Sequence, residues 1–264
     1  MCKYSNGFSL LEVVLCLSLI GLVLNGLFQY LPRYLQQQRS RSTQQQLVQA
    51  RQALLDFAIS HGRLPCPASE QSHGHEVFRL VAPPPAAGGS CQHPFKGLFP
   101  AATLGVENIH TNGLWHDAWG SPIRYAVTPM HNTVAVDAFT QTNEQAHSFK
   151  GMSIQQISRA LKPVAGQWFP GIHICPWRDV AAKRNEYCQA KHQLSNQVVA
   201  LVWSTGQFSG ARGEDEQQNL ADDRFFIFHE PRDPGGLGGA FDDQLMWIAL
   251  SSLLGDVVRA GRLP

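Results

Sequence analysis

The stretch GFSLLEVVLCLSLIGLVL, residues 7–24, decides the architecture of this chain, because Glu12 is the one charge in an otherwise apolar run. From Phe8 to Leu31 the sequence stays mostly apolar. As an α-helix this segment reaches about 36 Å at 1.5 Å per residue, more than the roughly 30 Å hydrocarbon core of a bilayer. Ser9, Ser18, Asn25 and Gln29 interrupt it, but such side chains bond back to the helix or sit near an interface. Glu12 is a different matter. A central acid costs about 2.5 to 3.5 kcal/mol on insertion scales, so an intramembrane carboxylate points to function. The expectation is a transmembrane helix over 8–31 in which Glu12 has a partner.

Ahead of the apolar run stands MCKYSNG, residues 1–7, short and basic through Lys3, as a cytoplasmic leader should be. Leu24 to Tyr34 offers no A-x-A cleavage site, so any cleavage belongs before the apolar run. The motif G-F-S-L-L-E joined to an apolar helix resembles the processing signal of type IV prepilins and type II secretion pseudopilins. That resemblance implies cleavage by prepilin peptidase between Gly7 and Phe8, N-methylation of Phe8, and an assembly role for Glu12. It also implies an inner-membrane protein, single-pass, with its N-terminus cytoplasmic and its C-terminal domain periplasmic. Its partners would be other pilin or pseudopilin subunits and the inner-membrane assembly platform. A physical account of Glu12 agrees. After cleavage the Phe8 amine lies one helical turn from Glu12, and each group neutralises the other, or the amine of a neighbouring subunit does so.

At 264 residues the chain holds a membrane segment and one ordinary globular domain, or two small ones. A net charge of +1 gives no bulk reason to expect nucleic acid or an acidic partner. Cys2 and Cys16 precede or lie within the apolar run, whereas Cys66, Cys91, Cys175 and Cys188 follow it. An even count on that side suggests two disulfides and an oxidising compartment. Three connectivities are open, and the short loops favour Cys66 with Cys91 and Cys175 with Cys188. The alternative is four unpaired core thiols.

Pro32 is expected to kink or loosen the helix where the membrane ends. The segment 32–61 then reads as its amphipathic continuation, with Leu47, Ala50, Leu54, Leu55 and Ala58 on one stripe and a stop at His61-Gly62. Four arginines and no acid between Arg33 and Arg51 read as a solvated face near lipid headgroups, since too few aromatics interleave for nucleic acid. Beyond it, IRYAVT (123–128), TVAVDAFT (133–140), QVVALVWSTG (197–206) and RFFIFHE (224–230) read as strands, the first two paired with each other. A last apolar segment runs from Gln244 to Leu254. Residues 62–264 thus read as one α+β domain. The fold expected is pilin-like, a long N-terminal helix packed on a mainly antiparallel sheet.

DAWGSPIRY, residues 117–125, is similar to the D-x-W-G-x-P segment that leads into the sheet of major pseudopilins. Its physics is intelligible alone: Trp119 offers surface to bury, Gly120 gives backbone freedom and Pro122 fixes entry into a strand. His73, His75 and His93 with Cys66 and Cys91 have zinc-like spacings, but disulfide bonding would remove the thiols. The run 213–224, including Asp222 and Asp223, and the pair Asp242-Asp243 could supply calcium oxygens, although neither fits an EF-hand loop. A solvated acidic loop is the plainer expectation, and no other cofactor is expected. No nucleophile elbow, H-E-x-x-H helix or P-loop occurs, and GGLGGA misses the dinucleotide fingerprint. The reading is a non-enzymatic minor subunit of a type IV pilus or pseudopilus. Its rivals are a filament-exposed adhesin or DNA-uptake pilin and a signal-anchored periplasmic enzyme.

Overall fold

A computed structural model describes residues 9–79, 89–107, 109–128, 139–140, 171–178, 188–207, 213–233, 235 and 238–261. Gly7, Phe8 and most of the strand expected at 133–140 lie outside these residues. The chain divides into two compact units, Met1–Ser42 and Thr43–Pro264.

Helix α1, Leu10–His61, begins in the first unit. Pro32 lies inside it without ending it. From Leu10 to Leu24 every large apolar side chain is exposed, Leu10 at 83%. This helix is long and apolar enough to cross a membrane. In water such a surface would be costly, at roughly 25 cal/mol per Å² of apolar area left wet.

The second unit begins at Thr43, within α1. Thr43, Leu47, Ala50, Leu54 and Ala58 recur every three or four residues and are at most 1% exposed, with Leu55 at 2%. This is the stripe expected from periodicity. The helix stops at Gly62, whose φ of 69° suits glycine and whose N–H donates to the Ala58 carbonyl at 2.8 Å.

The remaining elements are β1 (Gly97–Leu98), α2 (Ala101–Leu104), β2 (Arg124–Val127), β3 (Ile172–Cys175), β4 (Ser195–Ser204), α3 (Glu214–Asn219), β5 (Phe225–Ile227), β6 (Gln244–Ala249) and α4 (Leu250–Arg259). Six strands form one sheet in the order β1-β2-β4-β3-β5, with β6 also on β4. β4 is its axis. Val198 and Ala200 both face β6 on one flank, while Val198 also pairs β3 and Ala200 pairs β2. Since a strand has only two flanks, β2 and β3 must follow one another along the second. Thr128 stitches that junction, its hydroxyl donating to the Val198 carbonyl and accepting from the Ile172 amide.

The α+β class agrees with the sequence, but the sheet is mixed. Four pairings are antiparallel, and β3 and β5 run parallel. Between β3 and β5 the chain passes through β4 and α3, the crossover that a parallel pair requires. β2 pairs with β1 and β4; Phe139 and Thr140, at the end of its expected partner, form a turn.

Both faces of β4 are buried, which explains its unbroken apolar run. Val199, Ala200 and Val202 join the α1 stripe in one cluster, and Val198, Leu201 and Trp203 join Ile172, Ile174 and Phe226 in another. Val199 and Ala200 share a face because the β4–β6 register shifts between Val198 and Ala200. Disulfides link Cys66 to Cys91 and Cys175 to Cys188, the two pairs that loop length favoured.

Candidate functional sites

Glu12 lies in the first turn of α1, and its amide donates to the Ser9 carbonyl at 3.0 Å. It is exposed amid the apolar surface of Leu10–Leu24. The arrangement offers an accessible carboxylate at the head of a membrane-length apolar helix.

In the second unit the DAWGSP segment has a hub that sequence reasoning missed. Asp117 is buried, and its Oδ1 accepts from the amides of Trp119 and Ser121, both at 2.9 Å. Its Oδ2 accepts from the Ser204 hydroxyl at the end of β4. Gly120 closes the turn at φ 87°. Trp119 is only half-buried; the tryptophan of this region that enters the core is Trp115. The spacing D-x-W-G-S, with an acid before a glycine turn, was the available signal for Asp117.

A second acid, half-buried, holds the segment after α1. Arg63 donates to both oxygens of Glu76, at 2.8 and 2.7 Å, and Glu76 also accepts from the Cys66 amide. Arg63 lies over the rings of Phe57 and Phe78 as well. These contacts fix the Arg63–Cys66 turn. Beside β1, a groove of about 230 Å³ is lined by Glu70, Gln92, His93, Lys96 and Arg124, charges of both signs.

The third feature is an acidic cluster. The run GEDEQQN, 213–219, is not the solvated loop expected: α3 occupies 214–219, and Asp215, Glu216, Gln218 and Asn219 are buried. Glu216, Asp242 and Asp243 each offer a carboxylate oxygen, and these oxygens lie within 4.8 Å of one another. Glu216 accepts from the Asp242 amide at 3.1 Å, and Asp242 accepts from the Gln207 amide at 2.7 Å. Gly206 must be glycine here, because a Cβ would fall 2.4 Å from the Asp242 carboxylate. Asp243 is 5% exposed; its Oδ2 accepts from Asn219 at 2.7 Å, and its Oδ1 is buried with no hydrogen-bond partner. Burial above all pushes the Asp243 carboxyl up to about 8, Asn219 pulls it down, and Glu216 and Asp242 push it further.

The sequence candidates for calcium therefore divide. Asp242 and Asp243 are brought together, with Glu216 as an addition. Asp222 instead meets His93 at 3.3 Å on the surface, and Asp223 accepts from Gln218 and from the Phe225 amide. Neither belongs to the cluster. Cys66 and Cys91 are bonded to each other, which takes both thiols from the zinc-like spacing, and among the described residues no histidine group joins them. Nearby, Asp215 receives His229 at 3.0 Å and Arg232 at 3.2 Å, tying the segment after β5 to α3.

The chain thus combines a helix suited to crossing a membrane with a disulfide-bonded α+β domain. No protein-family profile, curated protein or solved structure matches it.

Proposed function

We propose that this chain is a prepilin-like subunit, non-enzymatic, processed by prepilin peptidase and assembled into a type IV pilus or type II secretion pseudopilus. Before assembly it is held in the inner membrane by α1, its N-terminus cytoplasmic and its disulfide-bonded domain periplasmic. The observation that carries the reading is α1 itself, Leu10–His61. Its first turn bears Glu12, its next turns expose large apolar side chains from Val13 to Leu24, and its last turns, from Leu47 to Ala58, are built into the domain core. A subunit drawn from a bilayer into a filament needs each of these parts. The apolar turns pack against lipid and then against other helices, and the core-packed turns carry the domain.

Glu12 supplies the registration. A buried carboxylate is tolerated when an opposite charge meets it, and the amine created on Phe8 by cleavage is such a charge. Two disulfides agree with a domain that folds outside the reducing cytoplasm.

The test is the intact mass of the membrane-extracted protein. The expected species lacks residues 1–7 and carries one added methyl group. A bulky residue in place of Gly7 should abolish processing, because the peptidase must reach the backbone there. Recovery of Met1, or of a start beyond Leu24, refutes the reading and favours a signal-anchored protein instead.

A further inference from the structure

We propose that the groove beside β1 binds a ligand bearing a single carboxylate, held by Arg124 and Lys96 and selected for charge by Glu70. The first support is the row in which Arg124 stands. Leu98 on β1 faces Arg124 on β2, Arg124 faces Trp203 on β4, and Trp203 faces Leu245 on β6. Residues directly opposite one another share a face of the sheet, and the other three in this row are buried and apolar. A charge placed among them gives up hydration that an apolar side chain would not need, so the fold alone does not call for it. The second support is what the guanidinium meets. Arg124 is half-buried, and its guanidinium makes no hydrogen bond or ion pair among the described residues. Asp243 and Glu70 act on it at longer range, and burial outweighs both in lowering its pKa.

The groove supplies the space for a partner. It encloses about 230 Å³, and Arg124 and Lys96 line it together with Gln92 and Glu70. Lys96, Gln92 and Glu70 are exposed, so water satisfies each of them; Arg124 is the one whose burial asks for a ligand. A guanidinium fork matches a carboxylate with two parallel N–H···O bonds, and the Lys96 ammonium adds a second positive charge. His93, in the same lining, is already engaged by Asp222. Glu70 sets the limit on charge. Two cations against one acid favour a single negative charge, whereas a doubly charged oxyanion meets repulsion from the Glu70 side. Leu98 and Ala68, also in the lining, are buried and apolar, and they suit a short carbon chain behind the carboxylate. The volume is small beside the roughly 300–1,000 Å³ of sites that enclose larger organic ligands, so the carboxylate belongs to a small acid or to the end of a peptide chain.

The experiment uses the full-length protein in a non-ionic detergent, with binding read by saturation transfer to the ligand's protons at constant ionic strength. The probes are propionate and N-acetyl-triglycine, each compared with its own amide. Transfer to at least one carboxylate, and to neither amide, is the expected result. Binding of both carboxylates identifies a small-acid site, and binding of the tripeptide alone identifies a site for a chain end. Arg124→Gln should weaken binding by about tenfold or more, and Lys96→Gln by a few-fold. Arg259→Gln, at the exposed end of α4, should leave it unchanged. Sulfate, a dianion, should compete about tenfold less well than the bound carboxylate, and Glu70→Gln should narrow that gap several-fold. Equal transfer to acid and amide, or no transfer to either, overturns the site. Binding that survives Arg124→Gln overturns it equally. Sulfate competing as well as the carboxylate overturns the role given to Glu70. The comparison of acid with amide needs no variant, so it decides the matter even if Arg124→Gln fails to fold.

Discussion

Asp117 spends its two oxygens on three donors, the Trp119 and Ser121 amides and the Ser204 hydroxyl. It thereby joins a glycine turn to the end of the central strand. Replacing it with alanine strands a buried hydroxyl and two turn amides at once. Asp117→Ala should therefore destabilise the domain by about 2–4 kcal/mol. Chemical denaturation in detergent measures this, and a change within about 0.5 kcal/mol, the range of an indifferent surface substitution, would show that the hub is dispensable. His116, its neighbour, has its pKa lowered by burial first and then by His110. It therefore favours the neutral form at the turn's entry. Glu12 presents the opposite case: it stands exposed on an apolar helix with no domain built around it. The first acid acts within the fold. On the proposed reading, the second acts when a neighbouring subunit's amine approaches it.

At the scale of elements, the disulfides offer a direct check. Cys66–Cys91 and Cys175–Cys188 close loops spanning 25 and 13 residues. Each should stabilise by about 3 kcal/mol through the entropy removed from the unfolded chain. Non-reducing peptide mapping should recover these two pairs and no others; four free thiols in periplasmic material would contradict the structure. Local pattern made several elements legible. The α1 stripe shows at helical spacing, the Gly62 stop has its usual residue, and β2, β4 and β5 carry β-branched and aromatic residues. What escaped had no local signature. β1 is two residues long, and β3 contains the polar His173 and takes a parallel partner about fifty residues away. α3 reads as solvent-loving because its composition is polar throughout, yet Asp215, Glu216, Gln218 and Asn219 are buried on groups outside the helix: Gln218 and Asn219 on β5, and Glu216 beside Asp242. The acidic cluster was legible only in part for the same reason. Asp242-Asp243 is adjacent in sequence, whereas Glu216 joins them only through tertiary structure.

For the whole molecule, the question is how many copies a filament could hold. We predict a minor subunit, competent to enter a filament without being its bulk material. Glu12 gives the chain the acid needed to meet a neighbour's Phe8 amine, so nothing in the helix confines it to the tip. The domain argues the other way. Residues 62–264 make about two hundred residues, an ordinary domain size but large beside the compact domains of the major pilins this chain resembles. Filament helices sit side by side at roughly 8–10 Å, the spacing of packed helices, so every copy must find room for its domain around a narrow core. Thousands of such copies would crowd, whereas an occasional copy, or a complex that initiates the filament, would not. Glu12→Gln should leave the domain folded, because Glu12 lies outside the unit that begins at Thr43, and should reduce incorporation. Mass-spectrometric counting on purified filaments gives both readouts. A small fraction of wild-type subunits, falling further in the variant, is the expected result. If this chain is the predominant subunit, steric crowding has been overestimated and the minor-subunit prediction is wrong.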